Sequence, residues 1–374
     1  MFRTACSMSV SAAALMTLAG SALATGDAPR FPAEIDLTGA QPAGAAAMAG
    51  ALVIVTDNEG QEIEIDIGPE TGKVRVWGVD GIPSGAVFEG VTSLSLTTGA
   101  GTDAIFIRVF ALEVMPISVN TNAGNSDVKI RYELAESSQT ATTDVVVTGG
   151  TGEDKAAFEV ESLAAGFVAT WTVSGLSGNN EATAVINSPE DSDLMSVDFD
   201  FTASGGLDKY VFDVISFAQS AQFGLSADTG GADDLAVVTL DNFASGSDTD
   251  AAFALRLGTG GDTSEIVVNS PGGTADLTGS SLGGSGDDLL KLVQEANGRI
   301  NLRLNGQGGH DYVDVFAKGS NVRGTPRLLG AGGNDFLKLF VDGPHVATPI
   351  IDGGAGYDIA YGFGTIINCE EVNN

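Results

Sequence analysis

The stretch GAGGNDFLKL, from Gly330 to Leu339, crowds glycines and an aspartate into a turn and passes at once into an apolar–polar alternation. The same order recurs in GGSGDDLLKL from Gly283, in GQGGHDYVDV from Gly306 and, with a softer strand, in GGAGYDIAYG from Gly353. The acids that close these turns, Asp288, Asp311, Asp335 and Asp358, stand 23, 24 and 23 residues apart. Toward the N-terminus, Glu265, Asp234, Asp208, Glu181, Asp154, Asp127 and Asp103 continue the period less regularly, with Glu181 and Glu265 the weakest members. A period of this length marks a solenoid, in which each unit buries its apolar face only by stacking on its neighbours.

Two and four residues after each acid the side chains are apolar, as in Leu290 and Leu292, Val313 and Val315, Leu337 and Leu339, or Ile105 and Ile107. Such alternation marks a strand with one face inward. Further short β-like runs follow in each unit, for example RINLRLN and SAQFGLS. The expected fold is an all-β, single-domain parallel β-helix with coils of about 24 residues, three short strands and three corners per coil, and a cap at each end. Residues 51–98 read as the N-terminal β cap, 99–364 as the repeats and 365–374 as the C-terminal cap. Stacked corners bring backbones together where a Cβ would obstruct, which accounts for the glycines. The carboxylates need a separate reason.

The turns GGSGDD, GQGGHD, GAGGND and GGAGYD, between residues 283 and 362, resemble the glycine- and aspartate-rich nonapeptide of RTX, or haemolysin-type, calcium-binding proteins. That resemblance implies Ca²⁺ held between successive coils by aspartate carboxylates and backbone carbonyls. Carried over by position, the ligands are Asp288, Asp311, Asp335 and Asp358, with weaker echoes at Asp103 (GAGTD), Asp154 (GGTGED) and Asp234 (GGADD). The departure is spacing: the family's coil of about 18 residues carries a motif on both flanks, whereas here one motif occurs per coil. Calcium also has a physical case of its own, because it takes six to eight hard oxygens and stacked turns offer carbonyls and carboxylates close together. Unneutralised carboxylates at equivalent corners, roughly 4.8 Å apart, would repel one another. The competing reading is that aspartate simply favours such turns and points into water.

The chain has 17 basic and 49 acidic residues, a formal charge of −32, which argues against nucleic acid as a partner. Residues 1–24 read as a secretory signal peptide ending at Ala22-Leu23-Ala24, with 25–50 a Pro/Ala/Gly-rich lead-in, and no later segment reads as a transmembrane span. Cleavage leaves Cys369 as the one cysteine, so no intrachain disulfide is expected, and no zinc-type Cys/His spacing occurs. At plus three from the motif acids, Lys291, Asp314 and Lys338 are expected to form an outward column of alternating sign. Arg299 and Arg323 are 24 apart, as are Arg303 and Arg327, which predicts two arginine stacks: either solvated beside neighbouring acids or an anion-binding face for a carboxylated or sulfated glycan.

The functional expectation is an exported, acidic, calcium-binding β-helix with a structural or adhesive role at the cell surface or in extracellular matrix, with polysaccharide as a partner. The alternative is a carbohydrate-active β-helix enzyme, a lyase or glycosidase acting on an acidic glycan. No residue is assigned a catalytic role, because the repeat is even and sugar-stacking aromatics are scarce, and His310 and His345 read as surface residues.

Overall fold

The computed structural model describes residues 45–48, 50–56, 59–68, 72–111, 115–188 and 193–373. The signal-peptide reading of residues 1–24 and nearly all of the lead-in lie outside them. Every regular element among the described residues is a β-strand, and almost all pairings between them are parallel. The result is a parallel β-solenoid.

In the middle of the molecule each coil has two strands. Strand Lys209–Ser216 pairs in parallel with Leu235–Asn242 of the next coil, while Ser220–Asp228 pairs with Asp248–Thr259. The three-strand coil expected throughout is found near the C-terminus, where Tyr312–Lys318, Val322–Gly324 and Arg327–Gly332 succeed one another. Earlier coils need no third strand because their strands are longer, up to 23 residues in Asp154–Leu176, which serves both sides of a coil. The register step between equivalent corners alternates between 28 and 26 residues through the middle coils, then shortens to 23 and 24.

The alternation in sequence becomes alternation in burial. Tyr312–Lys318 alternates strictly, with Val313, Val315 and Ala317 inward. Their stacked equivalents, Leu290 and Leu292 before and Leu337 and Leu339 after, are buried as well. Each such aliphatic side chain contributes about 1.5 to 3 kcal/mol, but only because a neighbouring coil covers it.

At the N-terminal end the pairing changes. Ala45–Met48 lies antiparallel to Ala51–Val55, and Val74–Trp77 lies antiparallel to both Glu62–Ile67 and Ala86–Phe88. Yet Ala51–Val55 and Glu62–Ile67 also pair in parallel with the next coil, so this segment is both first coil and cover. At the other end Thr365–Ile367 and Glu371–Asn373 add a last, shortened coil in the same parallel register.

Candidate functional site: a buried column of carboxylates

The corner where each coil begins its first strand carries the motif acid. The structure stacks Asp103, Asp154, Asp234, Asp288, Asp311, Asp335 and Asp358 in one column and buries all of them, Asp288 at 3% exposure and Asp358 at 0%. The water-facing reading of these aspartates is therefore wrong. They turn inward because each has backbone work to do. One oxygen, Oδ1, accepts the N–H of the equivalent residue one coil earlier: Asp311 from Asp288 at 3.0 Å, Asp335 from Asp311 at 2.9 Å and Asp358 from Asp335 at 2.8 Å. The N–H of Asp358 is in turn taken by Glu370 Oε2 at 2.7 Å, a longer side chain reaching back from the shortened last coil.

Two further members were not singled out from the sequence as ligands. Asp208 and Asp262 fill the coils on either side of Asp234, accepting N–H groups from Asn180 at 2.9 Å and Asp234 at 2.7 Å. Asp262 closes GTGGD, a turn of the right grammar that the period passes over in favour of Glu265. Glu265 instead points outward and pairs with Lys291 at 2.6 Å. Asp127 and Glu181 are each one residue out of place. Ser126 and Asn180 hold the column positions, and a one-residue slip on a strand moves a side chain to the opposite face. The uninterrupted carboxylate run is thus Asp208, Asp234, Asp262, Asp288, Asp311, Asp335 and Asp358.

In every member of that run the second oxygen, Oδ2, is buried without a hydrogen-bond partner. In Asp288, Asp311, Asp335 and Asp358 it folds back over its own turn toward the first glycine of the motif. A Cβ on Gly283 would stand 2.1 Å from Asp288 Oδ2, and one on Gly306 would stand 1.9 Å from Asp311 Oδ2. In these four C-terminal turns the first motif glycine leaves room for the carboxylate, while Ala203, Thr229 and Leu257 hold the same position before Asp208, Asp234 and Asp262. The glycine two residues before the acid is required by stacking: Gly333, at φ 137°, would place a Cβ 1.5 Å from the carbonyl oxygen of Gly309. Asp154 differs, since Gly150 N–H occupies its Oδ2 at 3.2 Å. Asp103 has an unpartnered Oδ2 but Ser126, not a carboxylate, above it.

Burial is the main cause that pushes these acids above the usual carboxylate range, with Coulombic repulsion from neighbouring aspartates adding to it along the run. Asp208 and Asp288 are raised to about 7, Asp262 and Asp311 to about 6, and Asp154, Asp234 and Asp335 shift in the same direction.

A second ladder runs one residue earlier, in the opposite sense. Asp287 Oδ1 accepts the N–H of His310 at 2.7 Å, His310 Nδ1 accepts that of Asn334 at 3.0 Å, and Asn334 Oδ1 accepts that of Tyr357 at 2.8 Å. Between Asp287 and Asp358 the two ladders clamp the corners from both sides.

The donor set is one that suits a hard cation: carboxylate oxygens without partners, and turn carbonyls beside them. Among the described residues no three acidic, histidine or cysteine side chains converge on one point. A cation here would draw on carboxylates of neighbouring coils and complete its shell from backbone oxygens. The residues present fit such an ion, because each orphaned Oδ2 lacks the partner that a buried charge demands. No family model, curated protein or solved structure matches the chain, so the likeness to the RTX nonapeptide rests on the motif residues themselves.

Proposed function

We propose that this protein is an exported, calcium-stabilised β-solenoid whose role is structural or adhesive at a cell surface or in surrounding matrix. The observation that carries the reading is the run of unpartnered, buried Oδ2 atoms from Asp208 to Asp358. Calcium bound along this run would neutralise successive carboxylates and stand in for the water they lose on burial. The column residues would hold it, with Asp208, Asp234, Asp262, Asp288, Asp311, Asp335 and Asp358 as carboxylate donors. A solenoid of repeating coils, acidic overall and joined by cations, suits a load-bearing or adhesive part, and no residue is assigned a catalytic role.

The test is thermal unfolding in millimolar Ca²⁺ and in EDTA at constant ionic strength. An ion bound only by the folded coil stabilises it by RT ln(1 + [L]/Kd), about 2.7 kcal/mol at a hundredfold excess over Kd. A higher midpoint in Ca²⁺ than in Mg²⁺ is expected. An unchanged midpoint removes calcium from the account, and an equal response to Mg²⁺ reduces it to charge screening.

A further inference from the structure

The side of the coils formed by the second strands in the middle and by the second and third near the C-terminus presents an outer face with two unusual neighbours. The first is a set of four arginines. Arg299 stands in register with Arg323, and Arg303 with Arg327, all four exposed. Among the described residues none of them has a carboxylate within ion-pair distance, although Lys291, Lys318, Lys338 and Arg131 on the first strands all do. Like charges directly opposite on adjacent strands are destabilising. In a chain with 49 acidic residues, four unpaired arginines in a two-by-two array are a local exception.

The second neighbour is a groove of about 490 Å³ that begins at Arg299 and Asn301 and runs back across the coils. Its floor is low because the stacked positions between Asp198 and Thr278 are Gly224 and Ala252. Its walls are polar: Gln222, Asp250, Asp276 and Thr278. Asp276 Oδ1 accepts the backbone N–H of Arg299 at 2.7 Å, which joins the groove to the arginine array. Burial, then repulsion from Asp248 and Asp276, holds the Asp250 carboxyl above its ordinary range, so that end of the groove disfavours further negative charge. One end accepts hydroxyl donors and the other donates to anions.

We infer that this face binds an acidic oligosaccharide, its carboxylate or sulfate groups on Arg299, Arg303, Arg323 and Arg327 and its hydroxyl-rich part in the groove over Gly224 and Ala252. Guanidinium forks pair with planar or tetrahedral oxyanions through two hydrogen bonds each. Arg299 and Arg303 lie in one strand with Asn301 between them, and a rise of roughly 3.3 Å per residue limits their separation to about 13 Å. That spacing suits a thin polymer with charges separated by sugar rings. A broad anionic surface such as a membrane would also meet the acidic remainder of the molecule and be repelled. Calcium is not required for this contact, since the array faces outward from the second and third strands while the carboxylate column lies inside a corner.

The test uses the full chain with oligogalacturonate and dextran sulfate as carboxylate and sulfate probes, and neutral dextran as the control, by isothermal titration calorimetry in Ca²⁺ and again in EDTA. At least one anionic probe should bind and dextran should not. Arg303→Gln/Arg327→Gln should weaken that binding at least tenfold, Ala252→Phe should weaken it by blocking the groove, and Arg131→Gln should leave it unchanged. Because all these side chains face outward, each variant's melting midpoint should stay close to that of the wild type and so separate lost binding from lost folding. Absence of anionic binding, equal binding by the double arginine variant, an equal loss in Arg131→Gln, or binding that requires Ca²⁺ but not the arginines would each overturn the proposal. Unchanged binding by Ala252→Phe would overturn the groove as its seat.

Discussion

The middle coils and the C-terminal coils solve the same corner with different interiors. Between residues 126 and 262 the corner-to-corner step is 28 or 26, and the core is aromatic: Phe158 stacks on Trp171 at 4.7 Å, and Phe199 on Tyr210 at 5.0 Å. From Asp288 onward the step falls to 23 or 24, and the core is aliphatic, with Leu290, Val313 and Leu337 stacked in register. There the aromatics move outside, where Tyr312 stacks on Phe336 at 5.1 Å and Phe316 on Phe340 at 5.6 Å. A longer coil encloses a wider section, which large rings fill, with small residues such as Ala184 between Phe158 and Phe212 to let them interleave. The corner, by contrast, hardly changes. Coil length is therefore adjusted in the strands and the far edge, while the carboxylate column holds the stack in register.

Substitutions inside the two cores should separate them most forcefully. Leu337→Asp puts an unpaired carboxylate into the narrow aliphatic core and should abolish cooperative folding of the C-terminal coils. Trp171→Ala leaves a cavity in the wide aromatic core and should cost about 3 to 5 kcal/mol. Circular dichroism melts of both would show whether the two interiors fail differently, and a larger loss from Trp171→Ala would reverse the ranking.

A second effect is set by the corners. In metal-free protein, a carboxyl with a raised folded pKa binds its proton more tightly folded than unfolded. Its contribution is complete below about pH 4 and is lost as pH rises through about 6, for Asp262 and Asp311, and about 7, for Asp208 and Asp288. Melting points in EDTA should accordingly fall between about pH 5 and pH 8, and saturating Ca²⁺ should flatten or invert that slope. A metal-free midpoint that climbs over this range would contradict the buried column.

A smaller effect exploits Asn180, a neutral rung that the middle coils already use: its Oδ1 accepts the Asp154 N–H and its Nδ2 donates to Asp208 Oδ1. Asp335→Asn copies that rung among the C-terminal coils. It should raise the metal-free midpoint at about pH 8 and reduce the number of calcium ions bound, because the accepting oxygen stays and the charge goes. Calorimetric titration gives the count. Smallest of all, Lys338→Ala removes a part-buried pair with Asp314 and should cost about 1 kcal/mol in urea unfolding.

The inward positions Leu290, Val313 and Leu337 are legible from alternation alone, and the outward Lys338–Asp314 pair from the period. Asp262 escapes a regular step because the coils alternate between 28 and 26 residues. The period points to Asp127 and Glu181 only if every corner must carry an acid, whereas the column tolerates other residues: Asn180 Oδ1 takes the Asp154 N–H, and at Ser126 the Asp103 N–H goes to the Asn125 carbonyl instead of a side chain. The groove leaves no trace in pattern, since Gly224 and Ala252 are ordinary outward strand residues until their stacked neighbours are known.

The main ladder also has a direction. Each corner N–H waits for an aspartate from the coil that follows it, so no corner from Asp208 to Asp335 is complete until the next stretch of chain has folded onto it, and the last is finished by Glu370. Assembly from the N-terminal end consequently advances with one unsatisfied donor always at its front, and each added coil cures the defect behind it while creating one ahead. Such a chain reaches full stability only at its final step, which makes Glu370 a terminus in the sense used for growing polymers: the unit that stops propagation by leaving nothing further to be matched.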